Sequence, residues 1–145
     1  MSSAVSDART KLYDALTGEL VESPWRVHRT SPAQIAAPSV YVDAVELGRD
    51  TATGVGIIVA TFPVVAVVDG TVRRQVEELD DLLARIWTAA LRSGLEPSDS
   101  RAMALDVGGA NLRAHVVRVD VYLAAVALCP PSLIPASVNG GASYA

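Results

Sequence analysis

Between Gly54 and Gly70 the chain reads GVGIIVATFPVVAVVDG, and almost every position is apolar. Alternation places Val55, Ile57, Val59, Thr61, Pro63, Val65 and Val67 on one side. Gly56, Ile58, Ala60, Phe62, Val64, Ala66 and Val68 fall on the other. A half-buried strand alternates apolar with polar, so this run predicts a strand that needs cover on both faces. Extended from Val55 to Val68 it would span roughly 46 Å at ~3.3 Å per residue. A compact domain of this length has a radius of gyration of roughly 15 Å and a diameter of roughly 38 Å. A straight strand would project, so either Pro63 bends it or its first half forms an arm. Pro63 has no N–H, which also predicts an edge or a bulge at that point.

Around this run the pattern predicts two helices and four further strands or strand-like segments. Val5, Ala8, Leu12, Ala15, Leu16 and Leu20 fall at helical spacing over residues 4–20, with Ser3 or Ser6 as N-cap and Gly18 near the end. Trp25–Arg29 alternates like a short strand, and 30–38, with Ser31, Pro32 and Pro38, reads as a loop. Val40–Leu47 predicts one continuous strand, with Val40, Val42, Ala44 and Glu46 on one side and Tyr41, Asp43, Val45 and Leu47 on the other. The polar GRDTATG connection at 48–54 makes it a hairpin with the apolar run.

A second helix is expected over Val72–Ser93, closed by Gly94, with Val72, Val76, Leu79, Leu82, Leu83, Ile86 and Ala90 as its apolar stripe. Arg73/Glu77, Arg74/Glu78 and Asp81/Arg85 stand at pairing distance on its outer face. Arg73 and Arg74 lie in the first turn, where the helix dipole disfavours cations. They either pair down the helix or meet a carboxylate of a neighbouring subunit. Glu96–Ser100 reads as a loop, and Arg101–Val107 and Leu112–Leu128 as a hairpin across Gly108–Asn111. In its second strand Val117, Val119, Val121 and Leu123 face the core and Arg118, Asp120 and Tyr122 face out. The order α–β–β–β–α–β–β predicts an α+β domain, an antiparallel or mixed sheet with both helices on one face. The domain is expected over residues 1–131, with 132–145, rich in Pro and Gly, as a flexible tail.

Composition narrows the function classes. A net charge of −4 gives no general attraction to nucleic acid or anionic lipid. No segment reaches the ~18 apolar residues of a membrane span, and the N-terminus has no apolar signal core. The single cysteine, Cys129, allows no internal disulfide. Gly54-Val55-Gly56 lacks the third glycine of a dinucleotide fingerprint and leads into a strand. Asp106-Val107-Gly108-Gly109 reads as a hairpin turn rather than a phosphate nest. His28 and His115 have no partner at metal-ligand spacing. Asp43, Glu46, Asp106 and Asp120 are expected on outward positions or paired with Arg113 and Arg118 rather than in an acid–base pair. Trp25 and Trp87 read as core or interface anchors. No catalytic, cofactor-binding or metal site emerges.

The segments KLYDAL, PWRVHR, SVYVDAVELGR, TFPVVAVVDG, VEELDDLLARIW and DVGGANLRAHVVRVDVYLAAVALCPP, in this order, resemble the tail terminator proteins of long-tailed, siphovirus-like actinobacteriophages. The likeness covers residues 5–131. It implies a non-enzymatic α+β protomer that assembles as a hexameric ring at the head-proximal end of the virion tail. Such a ring caps the tail tube, ends its polymerisation and joins the head–tail connector or stopper protein. It is assembled in the host cytoplasm, and DNA only passes through its lumen. No cofactor and no membrane is implied. Independently, the doubly apolar strand calls for cover from a neighbour, so the expected subunit-interface residues are Tyr41, Val45, Val55, Ile57, Val59, Arg73 and Arg74. The alternatives are another neck, stopper or minor tail protein, or a small oligomeric enzyme or ligand-binding domain.

Overall fold

The computed structural model describes residues 3–49, 56–68, 72–107 and 109–124. They form helix α1 (Ala4–Glu19), strands β1 (Arg26–His28), β2 (Ser39–Val42), β3 (Glu46–Arg49) and β4 (Ile57–Val68), helix α2 (Val72–Arg92), and strands β5 (Glu96–Val107) and β6 (Ala110–Ala124). The expected α+β architecture is present. One mixed sheet runs β1-β2-β4-β6-β5, with β3 beside the N-terminal half of β4. β1 is parallel to β2 and every other pairing is antiparallel.

Both helices lie on one face. Ala8, Leu12 and Leu16 of α1 and Leu79, Leu82, Ile86, Ala89 and Ala90 of α2 pack on Val40, Val42, Phe62, Val64, Ala66, Val68, Val117 and Val119. Val76, expected in the α2 stripe, is 42% exposed, so among the described side chains the buried stripe starts at Leu79. Ser3 is the N-cap of α1, its Oγ accepting from the Ser6 N–H at 3.1 Å. Gly18 lies inside the last turn and Leu20 is the C-cap. α2 closes on Gly94 at φ +74°, with the Leu95 N–H donating to Ala90 O at 3.0 Å. That left-handed residue suits glycine, and the bond satisfies a carbonyl of the last turn. The C-terminus of α1 is closed differently. Arg85 Nη2 donates to Glu19 O at 2.6 Å and Arg92 Nη1 to Glu19 Oε2 at 3.2 Å. Arg85 therefore serves α1 instead of the expected pair with Asp81.

Three expectations about the strands are corrected. Glu96–Ser100 is strand, not loop: β5 pairs with β6 from Glu96 onward, with a register shift between Pro97 and Asp99. The hairpin turn is tighter than expected, since Val107 pairs with Ala110 and Gly109 adopts φ +82°. The single strand expected over Val40–Leu47 is two strands. Val42 pairs with Val64 and Glu46 with Thr61, so residues 43–45 stand opposite only Phe62 and Pro63. The extra residue is a β-bulge and reverses the phase of the strand beyond it. Leu47 shares the helix-side face with Val40 and Val42, and Glu46 shares the other face with Tyr41.

The bulge also explains Pro63, which sits inside a strand paired on both sides. The Asp43 N–H donates to Pro63 O at 2.8 Å. In an antiparallel strand the N and O of a residue point the same way. The missing N–H of Pro63 therefore faces the bulge, where no ladder bond is lost to β6. Arg9 of α1 takes two carbonyls at the bulge and that of Arg29, just beyond β1. Its Nη1 donates to Val42 O at 2.8 Å and Arg29 O at 3.1 Å, and its Nη2 to Asp43 O at 2.9 Å. The guanidinium lies 5.3 Å from the Phe62 ring centroid, within cation–π range.

The face away from the helices is covered in one half only. Ile35 and Ala37, from the segment between β1 and β2, pack with Met103, Leu105 and Leu112 over Tyr41, Val65, Val67, Ala114 and Val116. The chain thus supplies the second cover for Val64–Val68 from its own loop. Ser39, under this cover, is fully buried and its Oγ has no hydrogen-bond partner among the described residues.

Candidate assembly surface

Beyond Ala60, which is still fully buried on the helix side, the sheet runs out past its covers, with Leu123 packed against the rim of the helix-side core. β3, the start of β4 and the end of β6 form a three-stranded extension whose register is fixed by Leu47↔Ala60, Gly48↔Val59, Arg49↔Ile58, Ile58↔Leu123, Val59↔Tyr122 and Ile57↔Ala124. Antiparallel partners share a face. Leu47, Ile58 and Leu123 therefore lie on the helix side, and Ile57, Val59 and Tyr122 on the other. Leu47 is 54% exposed and Tyr122 49%. Ile57, Ile58, Val59 and Leu123 are half-buried, and all four residues of β3 are exposed. Gly48 stands beside Val59 without a side chain, and a Cβ there would meet nothing within 4 Å. The result, among the described residues, is a tip with apolar side chains on both faces and a backbone edge at β3 that pairs with no other described strand.

The tip is separated from the covered half by a polar belt. Thr61 Oγ1 donates to Asp120 Oδ1 at 2.7 Å. Arg118 Nη2 meets Glu46 Oε2 at 3.0 Å and its Nε lies 3.7 Å from Asp99 Oδ1. Ser98 Oγ donates to Arg118 O at 3.2 Å. Arg118 thus links β3, β6 and β5 across an open face. With Glu46 and Asp99 largely exposed, each ion pair contributes about 0–1 kcal/mol. The expectation that strand acids meet Arg118 holds for Glu46, and only because the bulge rotates Glu46 to that side.

Neither a protein-family model nor a curated protein matches this chain.

The remaining candidates separate clearly. Tyr41, expected at an interface, is 3% exposed beneath Ile35 and Ala37 and belongs to the protomer core. Its phenol is pushed up by burial, with the Asp43 charge adding to the shift. Val45 is partly buried against the helix-side core. Ile57 and Val59 are at the tip. Val55, Cys129, the strand end expected at 125–128 and the tail at 132–145 lie outside the described residues, as do the side chains of Arg73 and Arg74. Trp25 and Trp87 pack against the helix-side core. His115, on the helix side of β6, is held below its ordinary value by burial, partly offset by Asp80. Among the described residues no three His, Cys, Asp or Glu side chains group as a metal site. No described helix is long and apolar enough to cross a membrane.

Leu47, Gly48, Tyr122 and Leu123 belong to the tip but were not singled out by the sequence pattern. The signal for them is register: without knowing that Tyr122 opposes Val59, alternation alone cannot place them together.

Proposed function

We propose that this chain is a structural virion protein, the subunit of a hexameric ring that caps a phage tail tube. The ring ends tube polymerisation, joins the head connector and lets DNA pass through its lumen. The observation that carries the reading is the tip: apolar side chains bared on both faces beside an open strand edge, in a protomer whose core is otherwise closed. Soluble monomers seldom leave such a surface uncovered, and one like it marks an interaction site. Among the described strands the sheet has edges on opposite flanks, β3 and β1 on one and β5 on the other. A head-to-tail contact between unlike flanks closes into a ring when the rotation allows. Pro97 and the register shift beside it blunt one end of β5, a usual guard against unspecific pairing. The resemblance of the element order to tail terminators supplies the biological setting.

Solution mass tests this reading. A hexamer of 15.2 kDa protomers has a mass of about 91 kDa. That species should appear with rising concentration or on adding tail-tube protein, and should shorten tubes polymerised in its presence. Leu47→Asp should abolish it while changing protomer stability by less than about 0.5 kcal/mol, because the side chain is already exposed. A protein that stays monomeric at high concentration, with and without tube protein, refutes the ring.

A further inference from the structure

The segment between β1 and β2 is pinned at both ends. At one end Arg9 Nη1 donates to Arg29 O at 3.1 Å, and the Arg29 guanidinium donates to Ser6 and Thr10 of α1. At the other the Arg26 N–H donates to Pro38 O at 3.4 Å. Between these pins, among the described residues, no hydrogen bond reaches Thr30–Ala37. None of these residues is buried, and Ile35 and Ala37 are the ones that pack onto the apolar cluster of the sheet. Beneath this cover stands Ser39, fully buried, with an Oγ that finds no partner among the described residues. A hydroxyl held so has given up its bonds to water and gained none, so the closed position carries a cost that opening removes. We infer that Thr30–Ala37 is a strap that swings off the sheet while the rest of the protomer stays folded, baring Tyr41, Val65 and Val67.

Local opening draws on segments with few buried apolar contacts and few backbone bonds, and the strap has both properties. The helices do not: they set a long apolar stripe on the other face, and α1 is further held by the Arg9 fork. Opening also costs no ladder bond. Ser39–Val42 pair with Val64–Val67, and those with Ala114–Val117, whether or not the strap lies over them. What opening adds is area on a face that is already bare at one end. On this side β4 carries Ile57, Val59, Thr61, Pro63, Val65 and Val67 in one row. The row is apolar except at Thr61, whose hydroxyl is bonded to Asp120. The strap therefore sets how far the apolar surface of the tip extends along the strand.

This goes beyond the ring reading and stands on the strap's own contacts rather than on any role in a tail. Cys129→Ser removes the native thiol from the full-length protein, and single cysteines are then placed on either side of β4. Val65→Cys replaces a residue on the strap side that is 2% exposed, and Val64→Cys its fully buried neighbour on the helix side. The rate of reaction with a water-soluble aromatic disulfide is followed as urea is raised toward the unfolding transition. The thiol at position 65 should react about a hundredfold or more faster than that at 64 without urea. Its rate should also depend less steeply on urea, since strap opening exposes less surface than global unfolding. Ser39→Ala in the Val65→Cys chain should slow the reaction about fivefold or more, because the closed state no longer holds an unpaired hydroxyl. Where Val65→Cys does not fold, Ala114→Cys samples the same face from β6. Equal rates and equal urea slopes on the two faces, or a Ser39→Ala chain that reacts as fast as its parent, overturn the strap. Fast reaction on the strap side in a protein that stays monomeric refutes the ring and leaves the strap standing. Equal rates in a protein that forms the ring refute the strap and leave the ring standing.

Discussion

Arg9 is the side chain through which α1 holds the sheet in its broken form, and Arg9→Met isolates that role. Methionine keeps most of the apolar stem and removes the guanidinium. Three carbonyls lose a charged donor: Val42 O, Asp43 O and Arg29 O, now bound at 2.8, 2.9 and 3.1 Å. Hydrogen bonds to charged groups contribute about 1.5–3 kcal/mol each. Three at the lower figure give about 4.5 kcal/mol, an upper value here because Arg9 is only half-buried and water can replace part of the loss. The expected destabilisation is about 2–4 kcal/mol, within the total of a domain that still folds. Arg9→Lys should fall between, since one ammonium cannot reach three carbonyls in the planar fork arrangement. Urea denaturation gives the stability, with an unchanged slope as the sign that both states keep their compactness. Hydrogen exchange locates the effect: the Asp43 amide, bonded to Pro63 O, should lose protection ahead of the β4–β6 ladder. A loss below about 0.5 kcal/mol, or a lysine variant equal to wild type, would show that Arg9 only decorates the bulge.

Three further outcomes follow from the geometry. Arg85→Met should cost about 1–2 kcal/mol, because it frees the terminal carbonyl of α1, whereas Arg92→Ala should cost less than about 0.5 kcal/mol, its side chain being 73% exposed; thermal melts of the two variants give the comparison. For His115 the folded-state pKa lies below the unfolded value of 6.5, so the unfolded chain takes up the proton first. Its contribution is complete above that value and lost as pH falls below it; a stability–pH curve for His115→Gln should lack this part of the decline, and a curve parallel to wild type would refute it. Gly94→Ala should destabilise by about 1–2 kcal/mol because of its φ of +74°. Gly48→Ala, in open space and without a positive φ, should stabilise by about 0.5–1 kcal/mol. Denaturation midpoints distinguish the two signs.

Much of this architecture is legible in the residues. Helical spacing locates α1 and α2 within a residue or two, because each sets apolar residues three and four apart against one core. Pro63 correctly flags a bulge, since a residue without an N–H has few places in a sheet. The long-range decisions are less visible. Nothing local at Asp43-Ala44-Val45 shows that one residue is extra; the partners across the ladder decide it. Arg9 looks like any polar residue of an amphipathic helix, because the carbonyls it serves lie twenty and more positions away. Ile35 and Ala37 sit in a stretch rich in proline, and their burial over Tyr41 depends on the loop folding back on the sheet. Tyr41 was therefore expected to meet a neighbour, when the chain covers it with its own segment. Glu96–Ser100 is polar enough to read as a loop, yet an edge strand with one solvated side tolerates that composition.

The bulge at 43–45 has a consequence for how such a protein tolerates changes of length. Val42 opposes Val64 and Glu46 opposes Thr61, so deleting Ala44 would leave a regular ladder with the same pairing on either side. Partners across the ladder share a face, so Glu46 would stay on the side of Arg118 and Leu47 on the side of the helices. The deletion would instead set a regular strand against Pro63, which has no N–H to give it. A single lost codon there would thus act on the joint between α1 and the sheet and leave both faces of the tip as they are.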